Sequence, residues 1–150
     1  MKQPIDPFYI AYRGAFSSLL KWPELDAFWQ VLSEQAEQAE RGWYIYRTDE
    51  SPPVQAASAG ELRDFIKEID RHLHQMHDED YCGIVYTDSK TQPSYIKIYD
   101  PKNLGVVCGI GREPVFPGWI ISQLAPKTLD ELPPLPDERK PWWRRILSLG

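Results

Sequence analysis

Residues 58–76 place the strongest constraint on the fold. Ser58 and Glu61 stand in S-x-x-E spacing, followed by Leu62, Phe65, Ile66, Ile69, Leu73 and Met76 at intervals of three or four. The first pair is a capping box, which satisfies free amides at a helix start. The six apolar residues fall on one stripe of a 3.6-residue period. A helix with one apolar stripe gains most of its stability by burying that stripe, so the chain must supply a second layer. The residues that follow supply it. Residues 81–86 and 95–99 are β-prone and flank a polar connection with Asp88, Ser89 and Pro93, which predicts a hairpin. Residues 43–46 and 118–124 predict further strands, and residues 106–110 offer another.

The N-terminal third predicts two more helices. Asp6 and Pro7 suit an N-cap and first helical position, with Phe8, Tyr12, Ala15 and Leu19 at helical spacing after them. Trp22 and Pro23 mark a break and a restart. Leu25, Phe28, Trp29, Leu32, Ala36 and Ala39 then form one stripe, and Gly42 sits where a C-terminal glycine cap belongs. The expected fold is therefore α+β. N-terminal helices and one central helix pack on one face of a mostly antiparallel sheet of three to five strands. A single domain spans residues 1–125, and residues 126–150 form an extended Pro-rich tail ending in a Trp/Arg segment. No internal repeat is visible.

Composition narrows the function classes. A 42% hydrophobic and 13% aromatic content opposes disorder. Residues 1–138 hold 13 basic against 22 acidic side chains, a net of −9, while residues 139–150 hold four basic and no acidic ones. An acidic body argues against nucleic acid as a partner, because phosphate neutralisation needs a basic surface. Two cysteines make no disulfide framework. Lys2 is followed by Pro4, Asp6 and Pro7 rather than an apolar run, and the longest apolar runs are too short to span a bilayer. The expectation is a cytoplasmic chain with reduced thiols.

All three histidines and both cysteines fall between His72 and Cys108. His72, His74 and His77 superficially resemble the metallo-β-lactamase signature. The position where that signature has aspartate is Met76, and the chain is too short for that fold. On a helix, His72 lies about 80° to one side of the apolar stripe, His77 about 60° to the other, and His74 about 120° away. These three converge only if the helix ends before His74, where Asp78, Glu79 and Asp80 could end it. Asp70, His74 and His77 do share a sector at i, i+4 and i+7, and two imidazoles with a carboxylate suit a divalent ion. The bland alternative is a solvated helix end whose cations complement the dipole.

A thiol mechanism is the other chemical alternative. Cys108 lies among Gly105, Gly109 and Gly111, where backbone amides can approach an oxyanion. His72 or His77 would serve as base and Asp100 as its orienting group. Nothing in the spacing requires these groups to meet. Cys82 alternates with Ile84 and reads as a buried apolar thiol. The glycines lack the Gly-Lys-Ser/Thr of a phosphate loop. No cofactor is implied.

Alternation places Ile96 and Ile98 on one side of a strand and Tyr95, Lys97 and Tyr99 on the other, with Tyr44, Tyr46 or Trp119 beside them. This stripe is either an exposed contact surface or the floor of a second packing layer. Trp142, Trp143, Arg144 and Arg145 next to Pro141 suit an acidic groove on a partner, a membrane interface, or a fold-back onto the chain's own body. The segment is too short for stable membrane anchoring.

Tyr81, Cys82, Gly83, Ile84, Val85 and Tyr86, followed by Ile96 to Pro101, Leu104, Gly105, Cys108, Gly109, Pro117, Gly118 and Trp119, resemble a family of small bacterial proteins of unknown function. The resemblance spans about residues 80–125 and implies no activity, cofactor or site. The leading functional expectation is an accessory protein that binds another protein through its aromatic sheet face, its tail, or both. A homo-oligomer is compatible with it. The competing expectation is a metal-dependent or thiol enzyme centred on residues 70–108.

Overall fold

The computed structural model describes residues 4–19, 21–38, 42–76, 84–100 and 116–133. Its order is α1 (Pro7–Tyr12), β1 (Ser17–Ser18), α2 (Trp22–Gln38), β2 (Tyr44–Arg47), α3 (Ala59–Met76), β3 (Val85–Thr87), β4 (Tyr95–Ile98) and β5 (Trp119–Ser122), then a 3-10 turn at Leu129–Glu131. The strands make one open antiparallel sheet ordered β1-β3-β4-β5-β2. The α+β class and the antiparallel sheet are those that the sequence pattern implies.

The capping box forms as written. Ser58 Oγ accepts from the Glu61 amide, and Glu61 Oε1 accepts from the Ser58 amide, each at 3.1 Å. Leu62, Ile66, Ile69 and Leu73 are buried along α3, as are Leu25, Phe28, Trp29 and Leu32 along α2. The two helices run antiparallel. Arg63 near the start of α3 pairs with Glu37 near the end of α2, while Asp70 late in α3 meets Trp29. Together they cover the sheet face that carries Val85, Ile96, Ile98 and Ile121.

The β3–β4 connection is held by Asp88. Its Oδ1 accepts from the amides of Ser94 at 2.9 Å and Tyr95 at 3.2 Å, and its Oδ2 accepts from the Ser94 hydroxyl. A carboxylate that accepts from both amides at the far end of the loop fixes the hairpin. Gly42 has a different role from the helix cap expected of it. Its φ is not in the left-handed range, but a Cβ there would collide with the Ala56 side chain. The close approach lets Trp43 bridge Ala57 beside β2.

α1 departs from the expected arrangement in length and in side. Asp6 Oδ1 accepts from the Phe8 amide at 2.8 Å with Pro7 at the first position, as expected. The helix then stops at Tyr12, short of Ala15 and Leu19. The chain leaves it to pair β1 with β3, and the Leu19 amide donates to the Val85 carbonyl at 2.9 Å. Phe8 and Tyr9 pack with Tyr46, Tyr95, Ile120 and Leu129 on the face opposite α2 and α3. The reason lies in the strands. Both faces of the central strands carry large apolar side chains, so both must be covered.

Candidate functional site

α2 and α3 present a polar cluster along their shared outer groove. Trp29 Nε1 donates to Asp70 Oδ1 at 3.1 Å, which fixes that carboxylate. His74, one turn further on, places Nε2 3.6 Å from the same Oδ1. Its ring stacks on Trp22 at 3.9 Å between centroids and 25° between planes. Asp26 arrives from α2, so that Asp26, Asp70 and His74 each offer a ligand atom within 4.8 Å of the others. A cavity of about 220 Å³ opens on the side of the cluster away from His74, lined by Asp26, Trp29, Ser33 and Asp70 with Lys67 at its wall.

Two members of the sequence-derived Asp70, His74 and His77 set therefore meet, and His77 lies outside the described residues. Asp26 was missed. Its sequence signal is weak, a carboxylate between Trp22 and Trp29 at the edge of an apolar stripe. Only the antiparallel packing of α2 against α3 brings it to Asp70. His74 points outward, as the helical angles require, with its side chain 46% exposed. His72 instead turns inward, edge-on to Trp119 at 5.9 Å between centroids. Its Nε2 is buried with no hydrogen-bond partner among the described residues.

The thiol alternative is only partly visible. Asp100 lines a small cavity with Arg47, Phe116 and Trp119, so Asp100 and His72 both flank Trp119. Cys108 and His77 lie outside the described residues, as does Cys82.

The stripe of Tyr95, Lys97 and Tyr99 is not an open surface. Tyr95 is 1% exposed, with its ring 5.4 Å from that of Phe8 and 5.7 Å from that of Phe16. Lys97 donates to the Tyr12 carbonyl at 2.6 Å, with its ammonium 3.9 Å from the Tyr12 ring centre and 4.1 Å from that of Phe16. Burial lowers its pKa from 10.5 to about 8. Tyr99 is half-buried edge-on to Tyr86, and burial raises its pKa. α1 covers this face with Phe8 and Tyr9. The register puts Tyr44, Tyr46, Tyr95, Lys97 and Ile120 on this side, whereas Trp119 packs with the α2/α3 core on the other. Tyr12 and Tyr95 have phenol pKa values pushed well above the ordinary range by burial.

A second concavity, about 430 Å³, lies between residues 52–54 and 125–131. Pro52, Pro53, Val54 and Pro126 line it, with Lys127 and Glu131 at its rim. Val54 is 92% exposed. Tyr9 ties this wall to α1 by donating to the Thr128 carbonyl at 2.6 Å. Trp142, Trp143, Arg144 and Arg145 lie outside the described residues.

The fold thus defines a small α+β domain with an antiparallel sheet packed on both faces and several surface concavities. No helix among the described residues is long and apolar enough to cross a membrane. No family model, curated protein or solved structure matches this chain.

Proposed function

We propose that this chain is a small cytoplasmic accessory protein that binds a partner protein through the proline-lined cleft at residues 52–54 and 125–131 and the basic-aromatic segment that follows it. The observation that carries this is Val54. It is a branched aliphatic side chain, 92% exposed, beside a cleft walled by three prolines. Proline walls lose little conformational freedom when a partner docks, so more of the contact energy appears as affinity. An extended apolar segment fits such a cleft, and Lys127 and Glu131 at its rim can fix direction.

The cleft and the tail are also continuous in sequence. Glu131 stands eight residues before Arg139, where the run of four basic residues begins. A partner that fills the cleft with an apolar segment and offers carboxylates nearby would engage both, and two linked contacts strengthen each other. Tyr95 and Lys97 drop out of this proposal because α1 occupies their face.

The test is capture and quantitative binding with three full-length proteins: the natural chain, Val54→Asp, and a deletion of residues 139–150. A specific partner should bind Val54→Asp about tenfold more weakly, near 1.4 kcal/mol, and the deletion at least as weakly. If every captured protein binds all three with equal affinity, the proposal is wrong.

A further inference from the structure

We propose that Asp26, Asp70 and His74 form a divalent-cation site of the zinc type on the outer groove between α2 and α3. The three ligand atoms come from two helices and lie within 4.8 Å of one another. Ligands on one zinc ion sit about 2 Å from the metal. Closing from the observed separation needs only small side-chain rotations, and Asp26 and His74 are both exposed enough to make them.

Two tryptophans prepare the ligands. Trp29 Nε1–H holds Asp70 Oδ1 at 3.1 Å, which sets the plane of the carboxylate and leaves Oδ2 free to turn on an ion. Trp22 stacks flat on the His74 ring at 3.9 Å, which fixes the imidazole plane while its Nε2 edge stays directed at Asp70. Outer groups that orient first ligands are what separates a built site from scattered surface donors. A plain Asp70–His74 ion pair would not explain the approach of Asp26. Two carboxylates converging on one point repel, and a bound cation turns that repulsion into attraction. An open cavity lined by Asp26 and Asp70, though not by His74, adjoins the cluster and leaves water access to the carboxylate side. Lys67 at the wall is the one built-in rival cation among the lining residues.

The donor set selects the metal. One imidazole nitrogen and two carboxylate oxygens with open positions suit Zn²⁺ or Co²⁺ better than Mg²⁺, which prefers an all-oxygen octahedron. The experiment is calorimetric titration of Zn²⁺ into the untagged, full-length, reduced protein, with Co²⁺ absorption as a spectroscopic probe. The expected result is one ion per chain with micromolar affinity. Asp26→Asn and His74→Gln should each weaken it at least tenfold with thermal stability in the absence of metal unchanged, while His77→Gln stays within twofold. Absence of saturable binding at 100-fold excess metal would falsify the proposal. So would a cobalt–thiolate charge-transfer band, which would put the ion on the cysteines. Affinity that survives Asp26→Asn but falls in His77→Gln would also overturn it, in favour of a site without Asp26.

Discussion

On one face of the sheet α2 and α3 lay mostly aliphatic side chains against Val85, Ile96, Ile98 and Ile121. On the other, α1 lays Phe8 and Tyr9 against Tyr46, Tyr95 and Ile120. Both layers exclude water, but the polar atoms they bury differ. The aliphatic layer buries mostly apolar atoms, with the Trp43 indole N–H and His72 Nε2 as its unpartnered polar atoms among the described residues. The aromatic layer also buries phenol oxygens and the Lys97 ammonium, and each of these costs free energy unless a partner replaces water. Tyr9 finds the Thr128 carbonyl and Lys97 finds the Tyr12 carbonyl. The Tyr95 hydroxyl finds none among the described residues. The first layer should therefore carry global stability, while the second should be the softer and more titratable one.

The sharpest test is to cut one large side chain from each. Leu73→Ala, at a site with no exposure, should cost about 3 kcal/mol in denaturant unfolding and lower Tm by roughly 10 °C. Phe8→Ala removes an equally buried ring but should cost less than Leu73→Ala. The six-residue α1 can undock while the rest stays folded, which caps the loss at the docking energy. Amide exchange separates the outcomes. In Phe8→Ala, protection should fall around α1 and persist in β4 and β5. Equal loss across the sheet in both variants would make the two layers one cooperative unit and erase the distinction.

What the sequence disclosed follows the same division. The aliphatic layer was legible because its signals are local. The Ser58/Glu61 cap, the α3 stripe and the Asp88 turn act within a few residues of themselves. The aromatic layer was not, because Tyr95 and Lys97 read equally well as an exposed stripe or as a floor. Only the position of α1 decides, and α1 is more than 80 residues away in the chain. Leu19 misled for a related reason. Its spacing fits a helix, but its burial comes from a strand edge. At the candidate metal site, the Asp70–His74 pair is an i, i+4 relation and could be read directly, whereas Asp26 depends on how two helices pack.

Lys97 offers the next test, a pH effect confined to the aromatic layer. Burial lowers its pKa to about 8 from 10.5. Between those values the unfolded chain binds a proton that the folded chain has released, so stability rises with pH across this window. The tyrosines set its upper edge. Their folded pKa values lie above 10, so the folded state holds protons longer than the unfolded one and stability falls once pH passes 10. The groups facing Lys97 are the Tyr12 and Phe16 rings, with Tyr86 and Ile120 across the register. A fall from 10.5 to about 8 sets an upper limit near 3 kcal/mol. The remaining solvent access of this partly buried position and the two rings reduce this to about 1 kcal/mol between pH 8 and 10. Denaturation of the natural chain should show that rise, and Lys97→Met should flatten it. A natural chain with constant or falling stability from pH 8 to 10 would mean that Lys97 keeps ordinary solvation.

The smallest effects come from single hydroxyls, and here the aromatic layer predicts opposite signs at two tyrosines. Tyr9→Phe removes a partly buried donor whose acceptor, the Thr128 carbonyl, sits 2.6 Å away. That carbonyl loses its partner, so the change should cost about 1 kcal/mol. Tyr95→Phe removes a hydroxyl that was desolvated on folding without a partner among the described residues. The ring contacts with Phe8 and Phe16 remain, so stability should stay level or rise by about 0.5 kcal/mol. The two variants lose the same atom from the same layer, so packing loss cancels in the comparison and hydrogen bonding is what differs. A cost at Tyr95→Phe matching that at Tyr9→Phe would show that the Tyr95 hydroxyl is satisfied, by water or by residues beyond those described, and that the two tyrosines do not differ in pairing.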